Sequence, residues 1–134
     1  YWLKRLEIDN QRDKYPAQLS RGQRQRTAIA RTLVLAPDLL LMDEPFSALD
    51  AAIRRELQET MIDLQGERGL TSVMVTHDIE EALFIGSQIL VMKDVAGLEA
   101  QMIDNTFAGS TGDSSLGEYK YLTEQLRHML ERST

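Results

Sequence analysis

Leu39-Leu40-Leu41-Met42-Asp43-Glu44-Pro45 is the stretch on which the reading of this chain turns. Four apolar residues run into two adjacent carboxylates, and a proline ends the run. A short apolar run bounded by turn signals fits a strand buried on both faces. In open α/β sheets, ligands sit beyond the carboxyl ends of the strands, where Asp43 and Glu44 stand. Taken alone, the stretch fits equally well a buried strand that closes on a solvated acidic turn.

Composition narrows the classes. A chain of 134 residues suits one modest domain or a piece of a larger protein. It holds no cysteine, which removes disulfides, thiolate metal sites and thiol nucleophiles and is compatible with the cytosol. No run is apolar enough to span a bilayer, and no signal peptide opens the chain, so membrane association is expected to pass through a partner. The net charge of −6 divides unevenly, with +5 over residues 1–35 and −11 over the remainder. A basic first quarter suits phosphates or a solvated helix face. The acidic remainder argues against a general nucleic-acid binder. Tyr1-Trp2-Leu3 reads as the middle of a helix, and a fragment is expected.

Outward from the opening stretch, residues 1–14 predict a helix with Trp2, Leu3, Leu6 and Ile8 on its apolar side, broken at Tyr15-Pro16. Ser20 is a good N-cap, and Gln23 three residues on completes a capping-box pattern for a helix reaching about Leu35. Ala28, Ile29, Leu33 and Val34 give that helix an apolar face. After the 39–43 strand, Asp50 caps a long helix with Ile53, Leu57, Met61 and Leu64 on one face, closed by Gly66 and Gly69. Residues 72–76 read as a second buried strand, followed at once by His77-Asp78 and a short helix carrying Ile79, Ala82, Leu83 and Gly86. Residues 88–93 read as a third strand, 100–103 as a short strand and 105–117 as a loop. Residues 118–132 return to helix through Tyr119, Leu122, Leu126, Met129 and Leu130. Strand, helix, strand, helix, strand predicts an α/β fold with parallel strands and right-handed crossovers.

Ser20, Asp50 and His77 each also have a plain structural job, the first two as caps and the third as a strand-end histidine satisfied by backbone. Their combination carries the chemical reading. A helix N-terminus offers free N–H groups and a positive dipole end to a phosphate. Gly22 permits close backbone approach, and the Ser20 hydroxyl adds a donor. A strand-end Asp suits Mg²⁺ held through oxygen and water. An adjacent Glu suits an attacking water, and a His on a neighbouring strand can touch a transferring phosphoryl group. These are parts of a phosphoryl-transfer site, where positioning and charge stabilisation do most of the catalysis.

At these residues the chain resembles the ATP-binding cassette (ABC) ATPases over about residues 15–93. Leu19-Ser20-Arg21-Gly22-Gln23 is similar to their signature motif, and residues 39–44 to their Walker B strand with its glutamate. Ser47-Ala48-Leu49-Asp50 is similar to the D-loop and His77 to the switch histidine. The resemblance implies a partial P-loop NTPase core with flanking helices and a C-terminal helix. Residues 1–35 would end the helical subdomain, 36–94 form the C-terminal part of the ATPase core, and 95–134 form an extension. It implies ATP and Mg²⁺, with Asp43 holding the metal through water, Glu44 polarising the hydrolytic water and His77 contacting the γ-phosphate. Ser20, Gly22 and Gln23 would reach ATP held by a second ATPase subunit in a head-to-tail dimer, and Asp50 would couple the two sites. Permease subunits would hold such a protein on the inner face of the cell membrane.

Two departures stand out. Arg21 replaces the glycine usual at the third signature position, and either adds a phosphate or partner contact or points outward. No G-x-x-x-x-G-K-[ST] stretch is present; residues 112–117 have the glycine spacing but continue Glu118-Tyr119. The resemblance places that phosphate loop before residue 1, so the fragment is expected not to hydrolyse ATP alone. It also implies that strand 39–43 pairs with 72–76, whereas 88–93 loses a neighbour and leaves an exposed edge. Asp43-Glu44-Pro45-Phe46-Ser47-Ala48-Leu49-Asp50 and Asp78-Ile79-Glu80-Glu81-Ala82 look most like the nitrate/sulfonate/taurine importers, with glycine-betaine importers close behind. The alternatives are a DNA-repair or chromosome-type ABC ATPase and a non-catalytic interaction fragment.

Overall fold

The capping box at Ser20, the apolar run at 39–43 and the Asp50 cap each form the element their residue types dictate. The structure is a computed structural model that describes residues 1–47, 49–92, 100–110 and 116–131. Ala48 of the D-loop-like turn, Lys93 at the end of the expected third strand and most of the glycine-rich stretch 112–117 lie outside the described residues. The chain divides into two compact units, Tyr1–Val75 and Thr76–Thr134.

In the first unit, helix α1 (Trp2–Arg5) is far shorter than the helix expected over 1–14. The chain reverses at Glu7, whose φ is 56°, and Asp9–Gln11 and Pro16–Gln18 form single 3₁₀ turns. The reversal buries both Leu6 and Ile8, which a continuous helix would have separated by half a turn. Helix α2 (Arg21–Leu33) follows. Its buried stripe is Arg26, Ile29, Ala30 and Leu33, one step round from the predicted face; Val34 is 65% exposed.

Strand β1 (Leu39–Asp43) pairs in parallel with β2 (Thr71–Val75), in the register Leu39↔Thr71, Leu41↔Val73 and Asp43↔Val75. This is the pairing that the resemblance implies, and its parallel sense is the one that the strand–helix–strand order predicts. Helix α3 (Ala51–Arg68) makes the crossover and ends at Gly69, which takes a left-handed φ of 63°. Leu57, Met61 and Leu64 of its apolar stripe are almost wholly buried.

The expectation that β1 is buried on both faces is corrected. Leu40 and Met42 are buried, whereas Leu39 is 50% and Leu41 69% exposed. Val73 and Val75 of β2 are 51% and 59% exposed, so the residues paired across the ladder share one open apolar face. The composition is that of a strand covered on both sides, but one side has no cover among the described residues.

In the second unit, helix α4 (Ile79–Ile85) leads into β3 (Gln88–Val91), which pairs antiparallel with β4 (Gln101–Asp104). The expected parallel setting of the third strand is therefore also corrected: its ladder is an antiparallel pair. The strand expected at 100–103 is present, shifted by one residue. Helix α5 (Leu116–Glu131) closes the unit, and Leu122 and Leu126 pack with Leu83 and Val91 into a buried cluster flanked by Ile79, Ile89, Ile103 and Phe107. Asn105, expected in a loop, is buried. Its side-chain amide donates to the carbonyls of Leu83 (2.7 Å) and Gly86 (2.6 Å), and its Oδ1 accepts from the Phe107 N–H (3.0 Å). No helix among the described residues is long and apolar enough to cross a membrane.

Candidate active site

The signature-like turn is held by its own side chains. The Gln23 N–H donates to Ser20 Oγ (3.2 Å), and the Ser20 N–H donates to Gln23 Oε1 (3.0 Å). This reciprocal box uses acceptors only, so the Ser20 hydroxyl hydrogen and the Gln23 amide NH₂ remain as donors. No acidic residue lies in the first turn of α2, which keeps the positive dipole end undiluted. Ser20 and Arg21 are exposed, while Gly22 and Gln23 are half-buried. Arg24 folds back to donate to the Leu19 carbonyl at 2.8 Å.

Gly22 serves packing. A Cβ there would stand 3.2 Å from Leu49 Cδ2 and 3.7 Å from Ile53 Cγ2. The N-terminus of α2 is thereby brought against the turn that ends at Asp50. Asp50 accepts from the Ile53 N–H at 3.0 Å and caps α3, and Arg54 donates to the Leu49 carbonyl at 3.2 Å.

The carboxylate pair closes β1. Asp43 is exposed and Glu44 half-buried, while Pro45 and Phe46 behind them are buried. Glu44 has a φ of 46°, in the left-handed region that side-chain-bearing residues seldom adopt. That conformation is fixed from both sides: the Glu44 N–H donates to the Val75 carbonyl (2.9 Å) and the Ser47 hydroxyl donates to the Glu44 carbonyl (3.0 Å). An exposed strand-end carboxylate fits Mg²⁺, which takes one or two protein oxygens and completes its shell with water and phosphate. No group of three metal-ligating side chains occurs among the described residues, so no all-protein cage surrounds Asp43. A concavity of about 280 Å³, lined by Trp2, Leu33, Pro37, Asp38 and Leu70, lies at the entry ends of β1 and β2, away from these carboxylates.

His77 lies in the second unit, two residues past β2, and is exposed. Its neighbours are fixed. The Thr76 hydroxyl donates to buried Glu81 (2.8 Å) and accepts from the Asp78 N–H (3.1 Å), while Asp78 Oδ1 accepts from the Glu80 N–H (2.9 Å). Thr76 and Glu81 were not singled out from the sequence; a hydroxyl one residue before His77 and a carboxylate four residues after it were the available signal.

Arg26 was also missed among the basic residues. It is 8% exposed and donates to the Leu6 carbonyl (3.0 Å) and to Glu56 (2.6 Å), with Glu7 at 3.9 Å. Its place on the stripe 26, 29, 30, 33 was the sign that it faces inward. A hydrogen bond with Glu56, and that group's charge, hold the Glu7 carboxyl above the usual carboxylate range. The same hydrogen bond with Glu7, joined by that of Arg26, holds Glu56 below it.

The chain is similar to known proteins in sequence and in fold. Residues 1–47 match the family model described as ABC transporter. A dimeric ATP-binding cassette solved in a post-hydrolysis state with ADP and Pi superposes with a TM-score of 0.66 at 38% identity, covering 76% of this chain and 43% of that one. The fold is part of an ABC ATPase core. The Fe(3+) ions import ATP-binding protein of Fusobacterium nucleatum is 50% identical over 93 residues, 69% of this chain and 25% of that protein. The sulfate/thiosulfate import ATP-binding protein of Bacillus cereus is 52% identical over 92 residues, 69% of this chain and 26% of its own length. The chain thus spans about a quarter of the length of the curated relatives it matches.

Proposed function

We propose that the chain is the signature and Walker B portion of the ATP-hydrolysing subunit of an ABC importer. The observation that carries the reading lies in the first unit: a reciprocally capped Ser20–Gln23 helix start packs through Gly22 on the Asp50 turn, and the strand before that turn ends in Asp43 and Glu44. The import-protein names of relatives at about half identity support the transport class over DNA repair.

In this reading Asp43 holds Mg²⁺ through water, and the half-buried Glu44 orients and polarises the attacking water. His77, fixed between Thr76 and Asp78, contacts the γ-phosphate. Ser20, Gly22 and Gln23 donate to ATP held by a second, head-to-tail ATPase subunit; exposed Arg21 is free to add a contact there, and Asp50 couples the two sites. Mg²⁺ supplies charge neutralisation on the phosphates when bound. Permease subunits hold the assembly on the cytoplasmic face of the membrane, with residues 1–35, 36–94 and 95–134 as helical-subdomain end, core and extension. Within the importers, the nitrate/sulfonate/taurine group remains the proposed affinity. Solute uptake by the assembled transporter, with nitrate, sulfonates, sulfate and iron(III) compared, tests that choice.

The central test is Glu44→Gln in the full-length protein. ATP binding is retained and turnover falls by at least a hundredfold. Undiminished hydrolysis removes Glu44 from the catalytic role, and absence of ATP binding by the full-length parent removes the reading itself.

A further inference from the structure

Two contacts join α2 to α3 one helical turn apart. At the first, Gly22 meets Leu49 and Ile53, leaving no room for a methyl group without displacement. At the second, Arg26 meets Glu56 at 2.6 Å. Arg26 is the buried charge of the pair, and its other nitrogen is bound to the Leu6 carbonyl at 3.0 Å. The two arms of one planar guanidinium therefore tie three separate segments, the end of α1, α2 and α3. A guanidinium has the fixed fork to do this, and an ammonium does not. Glu7 stands 3.9 Å from Arg26 on the exposed side of the cluster.

We propose that Arg26 is a positioning residue that locks the signature helix to the helix following the D-loop, so that Ser20–Gln23 and Asp50 are presented as one rigid edge to the partner subunit's ATP. This role rests on the ATPase reading above. It adds a route within a single subunit by which displacement of one ATP-facing segment displaces the other. The Gly22 contact holds the first turn of α2 against the turn before α3, and the Arg26 tie four residues on holds the next turn to α3 itself.

The test compares Arg26→Ala, Arg26→Lys, Glu56→Ala and the Arg26→Ala/Glu56→Ala pair in the full-length protein. Steady-state hydrolysis, nucleotide affinity of the dilute subunit and thermal midpoint are measured for each. Arg26→Ala is expected to lower kcat about tenfold while nucleotide affinity changes by less than twofold. Arg26→Lys should recover only part of the loss, because it keeps the charge and loses the fork. The double variant should be no slower than Arg26→Ala, since both substitutions cut one tie. Multiplicative losses in the double variant, full activity of Arg26→Ala, or a deficit that disappears at a temperature well below each variant's midpoint overturns the positioning role. A full-length parent that neither binds nor hydrolyses ATP overturns the ATPase reading instead, and the positioning role with it.

Discussion

At the scale of single residues, the charges around Arg26 give a prediction about pH. Glu7 is held above its ordinary value of about 4.3 by Glu56, so its contribution to stability is present at low pH and is lost as pH rises through its raised value. Glu56 behaves oppositely: its contribution is present above the ordinary value and is lost as pH falls through its lowered one. Glu7→Gln keeps a donor toward Glu56 and cannot ionise. Its stability relative to the parent should therefore grow as pH rises from about 4 to 7, in urea unfolding followed by circular dichroism. A difference independent of pH would show that the two carboxyls do not share a proton. The Gly22 contact makes a second residue-level case. Gly22→Ala places a methyl 3.2 Å from the flexible end of Leu49, so the side chain must give way. A cost of about 1 kcal/mol is expected in the same assay.

At the scale of elements, the open face of the β1–β2 ladder behaves as a liability. Leu39, Leu41, Val73 and Val75 form an exposed aliphatic strip on a two-stranded sheet. Replacing Leu41 and Val73 by Thr puts a β-branched residue at both positions and removes apolar surface. The 134-residue chain carrying both changes should aggregate more slowly in light scattering, with its midpoint little changed. An unchanged aggregation rate would place the hazard elsewhere. Asn105 gives the opposite case, a polar side chain that stabilises by being buried. Asn105→Ala leaves the Leu83 and Gly86 carbonyls without their donor and should cost about 2 kcal/mol. These elements also show what was legible beforehand. The Ser20 box, the Asp50 cap and the two apolar strands depend on local spacing and apolar runs and stood in the sequence plainly, while the pairing of β1 with β2 came from the family resemblance. The antiparallel β3–β4 ladder, the inward turn of Arg26 and the Asn105 staple depend on partners 10 to 30 residues away, which periodicity does not register. The open face was misread because strand composition reports the cover a strand is built for, whether or not that cover lies within the chain.

At the scale of the whole molecule, the sequence carries a helix start, a carboxylate pair and a strand-end histidine but no lysine-bearing glycine loop to grip phosphates. The 134-residue chain by itself should give no ATP turnover and no saturable Mg-ATP binding by calorimetry. Tight binding would show that the missing grip is supplied by residues not assigned to it. A different consequence follows from the backbone at Glu44. Its left-handed φ costs a residue with a side chain about 1 kcal/mol or more, a burden that asparagine bears more lightly and glycine hardly at all. A library sorted for thermal robustness alone would thus drift toward asparagine or glycine at position 44 and discard the carboxylate. A library of the full-length protein sorted for turnover would, on the role proposed for Glu44, return glutamate at the expense of robustness, so the two selections should part company at this position.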